Sequence, residues 1–292
     1  EISTSWWREL SGMGQKRKNN IKGLPYSVAI TSGKGGVGKS CIALNLAAEF
    51  AKTGKRVLLV DGDLGLGNVG LLLGIGGEWT IEDALSGRCP VAEAAIEGPE
   101  GLVILPAANE GEIDFWQTLA VVPSVVEELE AFAADFDVLV IDTGAGIADK
   151  TVDLVIAADE ALVVVTPEPT AIADAYATLK TLLLHRSELV AGLLVNMADS
   201  AEEAAELHDK FAELASRFLG AEIDNRGYIP LDRYVREAVK RQVPLALTVP
   251  PSPAAQELMR LAGDLGGANA SVRNIGPGFF TRALTRQADG VD

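Results

Sequence analysis

Residues 26–50 run from a strand-length apolar segment through a glycine loop into a helix-period apolar stretch, and nothing else in the chain restricts its fold so tightly. Tyr26-Ser-Val-Ala-Ile-Thr31 suits a buried strand, and Ile42, Leu46 and Phe50 recur on one helical face. Between them, Gly33-Lys34-Gly35-Gly36-Val37-Gly38-Lys39-Ser40 matches G-x-x-x-x-G-K-[ST] in full. A strand end, a glycine turn and a helix start aim several backbone N–H groups at one point, where the helix dipole also favours an anion. The glycines let the chain curl around phosphates with no Cβ in the way. The ligand class is a nucleoside triphosphate with Mg²⁺. Lys39 is placed to reach the terminal phosphates, the Ser40 hydroxyl to ligate the metal, and the backbone from Gly33 to Cys41 to cradle the phosphate oxygens. A ligand-free glycine turn is the plain alternative, and the flanking strand and helix argue against it.

Two apolar runs end in carboxylates. Val57-Leu-Leu-Val60 leads into Asp61-Gly62-Asp63, and Val138-Leu-Val-Ile141 leads into Asp142. Acidic residues at the carboxyl ends of parallel strands stand where open α/β sheets bind ligands. Asp142 fits a residue holding Mg²⁺ through water, and Asp61 a supporting partner of the same ion. Asp63, in a segment rich in glycine (Gly62, Gly65, Gly67), fits a group that orients or deprotonates the attacking water. Taken singly, each aspartate reads equally well as a cap or turn residue. The phosphate loop tips the reading towards function.

With 292 residues, 48% of them apolar, the chain can bury one large core. Strand-like runs alternate with amphipathic stretches, as in a mostly parallel sheet covered on both faces. Gly23-Leu-Pro25 and the glycines at 266 and 267 mark soft boundaries: a tail over 1–24, an NTPase domain over 25–268 and a second tail over 269–292. No apolar run is long enough to span a bilayer and no secretory signal is visible. Cys41 and Cys89 form no C-x-x-C, which argues against iron–sulfur chemistry, and His185 and His208 stand alone with no metal role. A reduced, cytoplasmic protein is expected. The net charge of −16, from 41 acidic and 25 basic residues, counts against a protein that coats nucleic acid.

The stretch Ser32–Ser40, with Lys34 added to the ordinary pattern, resembles the deviant Walker A loop of the MinD/ParA ATPases. Asp61-Gly-Asp-Leu-Gly-Leu-Gly-Asn-Val69 resembles switch I, and Asp142-Thr-Gly-Ala-Gly-Ile147 switch II, of the FlhG (FleN) branch of that family. Thr166-Pro-Glu-Pro-Thr-Ala-Ile-Ala-Asp-Ala-Tyr176 is similar to the segment after the fifth strand in the same branch, and the likeness runs in order from about residue 26 to 266. The resemblance implies a three-layer αβα fold and a Mg²⁺-dependent ATPase that regulates flagellar number or placement. It implies an ATP-bound homodimer in which Lys34 reaches the partner's phosphates, an electrostatic clamp in the transition state. It also implies that Asp174 engages Lys34, that Asn196 reads the adenine edge, and that the loop from Ile229 through Pro230 to Asp232 closes over the base. Asn196 and Asp199 have the N-x-x-D spacing used for guanine without the lysine usual between them, so the choice of ATP follows the family. Residues 1–24 lack the Asp-Gln-Ala…Leu-Arg motif by which FlhG relatives stimulate the GTPase FlhF, which leaves that partnership and other flagellar assembly partners open. Trp6-Trp7 beside the basic run Lys16-Arg-Lys18 reads most simply as a segment docked on the protein's own surface.

At the other end, Phe279–Arg286 puts Phe280, Ala283 and Leu284 on one helical side and Arg282 and Arg286 on the other. The segment resembles the short membrane-targeting helix of MinD and FlhG proteins, and its composition suits a membrane interface. A cytoplasmic protein bound reversibly to the inner face of the cell membrane is the expectation; a tail packed on its own domain is the alternative. Two other classes compete with the flagellar reading. One is a ParA-like partitioning ATPase that binds nucleoid DNA or positions another cargo. The other is a metabolic metal-insertion ATPase, which the absence of paired cysteines disfavours.

Overall fold

The computed structural model describes residues 24–63, 67–108, 123–268 and 277–288. Eight strands form one sheet: β1 (Tyr26–Ser32), β2 (Val57–Gly62), β3 (Ile96–Glu97), β4 (Val103–Leu105), β5 (Val138–Ala145), β6 (Glu160–Val165), β7 (Val190–Ala198) and β8 (Asp224–Pro230). Their spatial order is β3-β4-β2-β5-β1-β6-β7-β8, parallel throughout except for the short β3–β4 pair at one edge. A parallel sheet needs long crossovers, and these place helices on both faces. That is why Val57, Leu58, Leu59 and Val60 are all buried, with no polar alternation along the strand. The α/β three-layer architecture expected from the sequence is the one found.

One face carries α1 (Lys39–Lys52), packed with Val28, Ile30, Leu59 and Val140. The small switch helix α2 (Val69–Leu73) follows β2. The helices α3 (Ile81–Leu85), α4 (Val91–Ala94), α5 (Pro123–Ala133) and α6 (Asp149–Ala157) cover the opposite face around Leu58, Leu139 and Ile141. Beyond them, α7 (Pro169–His185) and α8 (Ala201–Leu219) pack on β6 and β7 through Leu179, Leu207 and Phe211. After β8 come the largely exposed α9 (Arg233–Arg241) and then α10 (Pro253–Ala268), which returns to the α1 face.

A last helix, α11 (Phe279–Ala288), is not set apart from the body, as a free membrane tail would be. Phe279, Phe280 and Ala283 are buried against the core that holds α5 and α6. Its Arg282 does not face solvent. The guanidinium donates to the Ala157 carbonyl at 2.7 Å and to Ser27 Oγ at 3.1 Å, and pairs with Asp159 at 2.9 Å. Burying the apolar side chains contributes on the order of 1.5–3 kcal/mol each before ordering costs. Trp6, Trp7, Lys16–Lys18 and Gly65 lie outside the described residues, and nothing is described of the Leu284 and Arg286 side chains.

Candidate nucleotide site

β1 stands at the middle of the sheet with β5 on one side and β6 on the other, so the crevice beyond its carboxyl end is where a doubly wound sheet binds ligand. The glycine loop leaves β1 there. Gly38 sits at φ +95° as the cap of α1, a left-handed conformation that an L side chain resists. A Cβ on Gly33 would run into the backbone of Asp174, so that glycine serves close packing against α7. The backbone of Asp174 thus meets the loop.

The side chain that Lys34 engages is a different one. Its Nζ lies 2.7 Å from Glu168 Oε2 and 3.4 Å from Thr170 Oγ1, both at the start of α7. This corrects the expectation for Asp174. A lysine two residues beyond the end of β1 reaches the first turn of the neighbouring crossover helix more easily than its second.

A cleft of about 850 Å³ opens over the loop, lined by Gly36, Lys39, Ser40, Asp63 and Gly144, with Lys150 at its edge. Lys39 is buried, which pushes its ammonium pKa down, while Asp142 and Asp63 oppose that shift. Asp142 is fully buried and neither carboxylate oxygen has a hydrogen bond of good geometry, although the Ser40 hydroxyl lies near enough to offset part of the burial. Burial, reinforced by nearby Asp61, raises its pKa to about 7. A buried carboxylate answered only loosely by Ser40 and by the charge of Lys39 is a costly arrangement unless a cation joins them.

Among the described residues no cluster of three or more His, Cys, Asp or Glu could hold a metal by itself. Mg²⁺ binds through one or two protein groups together with phosphates and water. Ser40 would ligate such an ion directly and Asp142 through water. Bound there, such an ion would neutralise charge on the terminal phosphates.

Asp61 is otherwise engaged. Its Oδ2 accepts the backbone N–H groups of Asn68 at 3.0 Å and Val69 at 3.1 Å, and its Oδ1 that of Asp63 at 3.3 Å. It therefore ties the start of α2 to β2, and its contribution to a metal is indirect. Burial raises its pKa to about 6 against these bonds. Asp63 is half-buried and faces Gly144 near the end of β5. Burial raises its pKa while Lys39 opposes the shift, the direction that strengthens a carboxylate as a proton acceptor.

A second cavity of about 550 Å³ joins the first at Gly38 and Cys41. Its walls are mostly apolar, with Ile42, Ile229, Pro230 and Leu258, as a purine pocket requires. Asn196 lines it and donates its amide to the Val37 carbonyl at 2.7 Å, which orients the side chain against the phosphate loop. The amide oxygen is left as an acceptor, matched to an exocyclic amino group. Asp232 lines the same cavity, but its carboxylate works locally: it caps α9 through Tyr234 N at 2.9 Å and holds Ala254 N at 3.2 Å. Cys41 stands at the junction, and burial pushes its thiol to about 11, so it is a wall and not a nucleophile. The motif reading passed over Glu168, Lys150 and Thr151. Glu168 lies within the recognised Thr166–Tyr176 segment, whereas Lys150 and Thr151 carry no signal beyond a helix start.

The family model for ParA, described as "NUBPL iron-transfer P-loop NTPase", matches residues 24–265. The chain belongs to the ParA/MinD family of P-loop NTPases. It is 40% identical over 215 residues to the antiactivator FleN of Pseudomonas aeruginosa, covering 74% of this chain and 77% of that protein. It is 36% identical over 224 residues to the flagellum site-determining protein YlxH of Helicobacter pylori, covering 74% of each. Among solved structures, MinD of Pyrococcus horikoshii complexed with Mg-ADP matches this NTPase with a TM-score of 0.68 at 26% identity. That match covers 85% of this chain and all of the other. The Aquifex aeolicus MinC:MinD complex matches with a TM-score of 0.67 at 30% identity, over 86% and 100% respectively.

The buried Asp142 leads to a prediction. Its carboxyl group has a folded pKa of about 7 against an ordinary 3.8, so the folded chain holds a proton that the unfolded chain releases. Stability of the nucleotide-free protein therefore falls as pH rises from about 4 to about 7 and levels off above. Asp142→Asn should stabilise the nucleotide-free chain by ~2 kcal/mol at pH 8, with the gap closing towards pH 4. It should also abolish the added stabilisation by Mg²⁺ and ATP. Thermal melts across that range check both parts, in chelator for the nucleotide-free chain and with Mg²⁺ and ATP for the ligand effect.

Proposed function

We propose that this NTPase is a Mg²⁺-dependent ATPase switch of the FlhG type that dimerises on ATP, associates with the membrane and regulates flagellar number or placement. The observation that carries the reading is the position of Lys34. It stands partly exposed at the rim of its own cleft, on Glu168, and is not among the residues lining that cleft. A lysine so placed is available to a second molecule's phosphates. An apolar rim supports the same reading: exposed Leu71 and Val239 border the triphosphate cleft, Met197 and Leu231 border the base pocket, and exposed Ile147 lies in the loop after β5. Exposed apolar groups gathered around one cleft mark an interaction surface. Light scattering with ADP and with ATP, on the parent and on Lys34→Ala, tests the proposal; a parent that stays monomeric with ATP rejects it.

The docked α11 gives the membrane step a physical form. The side that would enter lipid, Phe279, Phe280 and Ala283, is the side buried against the body. Docking and adsorption therefore exclude each other, and lipid binding needs release. α11 packs on α6, the helix that follows the loop after Asp142, so movement of that loop bears on the tail. Once two tails are freed on a dimer, effective concentration strengthens a weak anchor. Arg282→Ala removes the Ala157, Ser27 and Asp159 contacts and should raise ATP-independent binding to phosphatidylglycerol vesicles roughly tenfold. Unchanged sedimentation with vesicles would reject the latch.

One observation favours a second reading. In a chain of net charge −16, α9 carries Arg233, Arg236, Lys240 and Arg241 on an almost fully exposed helix, with the Arg233 guanidinium 4.9 Å from the Tyr234 ring. A ParA-like partitioning ATPase uses such a local patch on nonspecific duplex DNA. Binding that weakens steeply between low and moderate salt would favour it over the flagellar reading.

A further inference from the structure

Gln242 occupies a backbone position where a side chain is a burden. It follows α9 at φ +54°, in the left-handed region, as the residue that closes the helix end. Its N–H bonds to the Val239 carbonyl at 3.0 Å, and Val243 N–H bonds to the Ala238 carbonyl at 3.1 Å. Glycine is the residue this motif favours. Across the contact the situation is reversed. Gly74 ends α2 at φ +63°, and a Cβ there would run into the Gln242 amide. So a side chain is kept where glycine would be easier, and the glycine opposite it leaves room for that side chain. Strain retained at a single position calls for a reason in function.

The amide supplies one. Gln242 Nε2 donates to the Leu71 carbonyl at 3.0 Å, an acceptor in the last turn of α2. The two helices it joins serve different parts of the site. α9 starts at Asp232, in the wall of the base pocket. α2 starts at Asn68 and Val69, which Asp61 binds, five residues past Asp63. Val239 of α9 and Leu71 of α2 border the same triphosphate cleft. The segment after α9 is pinned in turn to the phosphate-loop helix, because buried Asn45 accepts the Ala246 N–H at 2.9 Å.

We infer that Gln242 is a positioning residue: a strut that passes occupancy of the base pocket to the switch helix α2 and so sets the loop carrying Asp63. The inference rests on the reading of this cleft as an ATP site. A purine that orders the Pro230–Asp232 loop orders α9, and Gln242 then holds α2. A phosphate chain with no base fills the glycine loop alone and leaves this path unused.

The test is hydrogen exchange of residues 67–74 in the full chain with Mg²⁺ and saturating ATP or tripolyphosphate. In the parent, ATP should slow exchange there more than tripolyphosphate does. In Gln242→Gly, which keeps the backbone conformation and eases its strain, the two ligands should protect equally. The kcat for ATP should fall roughly twofold to tenfold, the worth of one hydrogen bond, with KM little changed. Gln242→Glu retains the side chain's bulk and removes its N–H donor, and should behave as the glycine variant does. A persisting difference between ATP and tripolyphosphate in either variant overturns the inference, as does parental kcat in both. The exchange result needs no turnover. A parent that fails to hydrolyse ATP would therefore sink the ATPase reading while leaving this one to be decided by exchange.

Discussion

Replacing Lys34 by alanine should reduce ATP turnover about a thousandfold, the scale on which a charge supplied in trans to a phosphoryl transition state acts. ADP binding should stay within a few-fold of the parent. The difference arises because Lys34 bonds to Glu168 and Thr170 and does not line its own cleft, whereas Lys39 is buried within it. Ground-state binding then depends on the glycine loop, Lys39 and Ser40. The Lys34 charge matters once a partner's phosphates come within reach. Its exposed ion pair with Glu168 costs little to break, since surface pairs are worth about 1 kcal/mol or less. Steady-state hydrolysis and ADP titration measure the two effects separately. Equal losses in both would mean that Lys34 serves its own site.

Asp63→Ala should also lose turnover, but for a different reason. The ATP-bound dimer forms and persists, while hydrolysis drops by about a hundredfold or more with the loss of the group that positions or deprotonates water. Asp63 lies at the wall of the cleft against Gly144, and among the described residues its carboxylate ties no other element in place. Mixing the two inactive variants provides the sharpest check. In a mixed dimer, the Lys34→Ala subunit keeps its Asp63 and receives the lysine of the Asp63→Ala subunit. One site in each mixed dimer is thus complete, and an equimolar mixture should recover roughly a quarter of parental turnover. A mixture as inactive as its components would place Lys34 and Asp63 in service of the same molecule, and the trans mechanism would fall.

The linear chain determined the elements that carry their own chemistry. Gly33–Ser40 specifies a phosphate cradle because its glycines and its flanking strand and helix are contiguous. The positions of Asp61 and Asp63 were legible because an apolar run turns polar where β2 ends, whereas β5 runs on past Asp142 to Ala145. The parallel sheet was legible because Val57–Val60 and Val138–Ile141 are apolar on both faces.

What only tertiary structure decided are the partners that sequence distance hides. Lys34 meets Glu168 across 134 positions, and Asn196 bonds to Val37 across 159. Gln242 reaches Leu71 across 171. The last helix shows the same division. The pattern of Phe280, Ala283 and Arg282 fixes an amphipathic segment, but the pattern is equally compatible with lipid and with a protein groove. Here the groove is present: Glu130 Oε1 accepts the Thr281 N–H at 2.7 Å, and Asp159 and Ser27 meet Arg282. Local sequence sets what a segment can bury, and packing decides against what it is buried, because that choice depends on surfaces assembled from residues far apart in the chain.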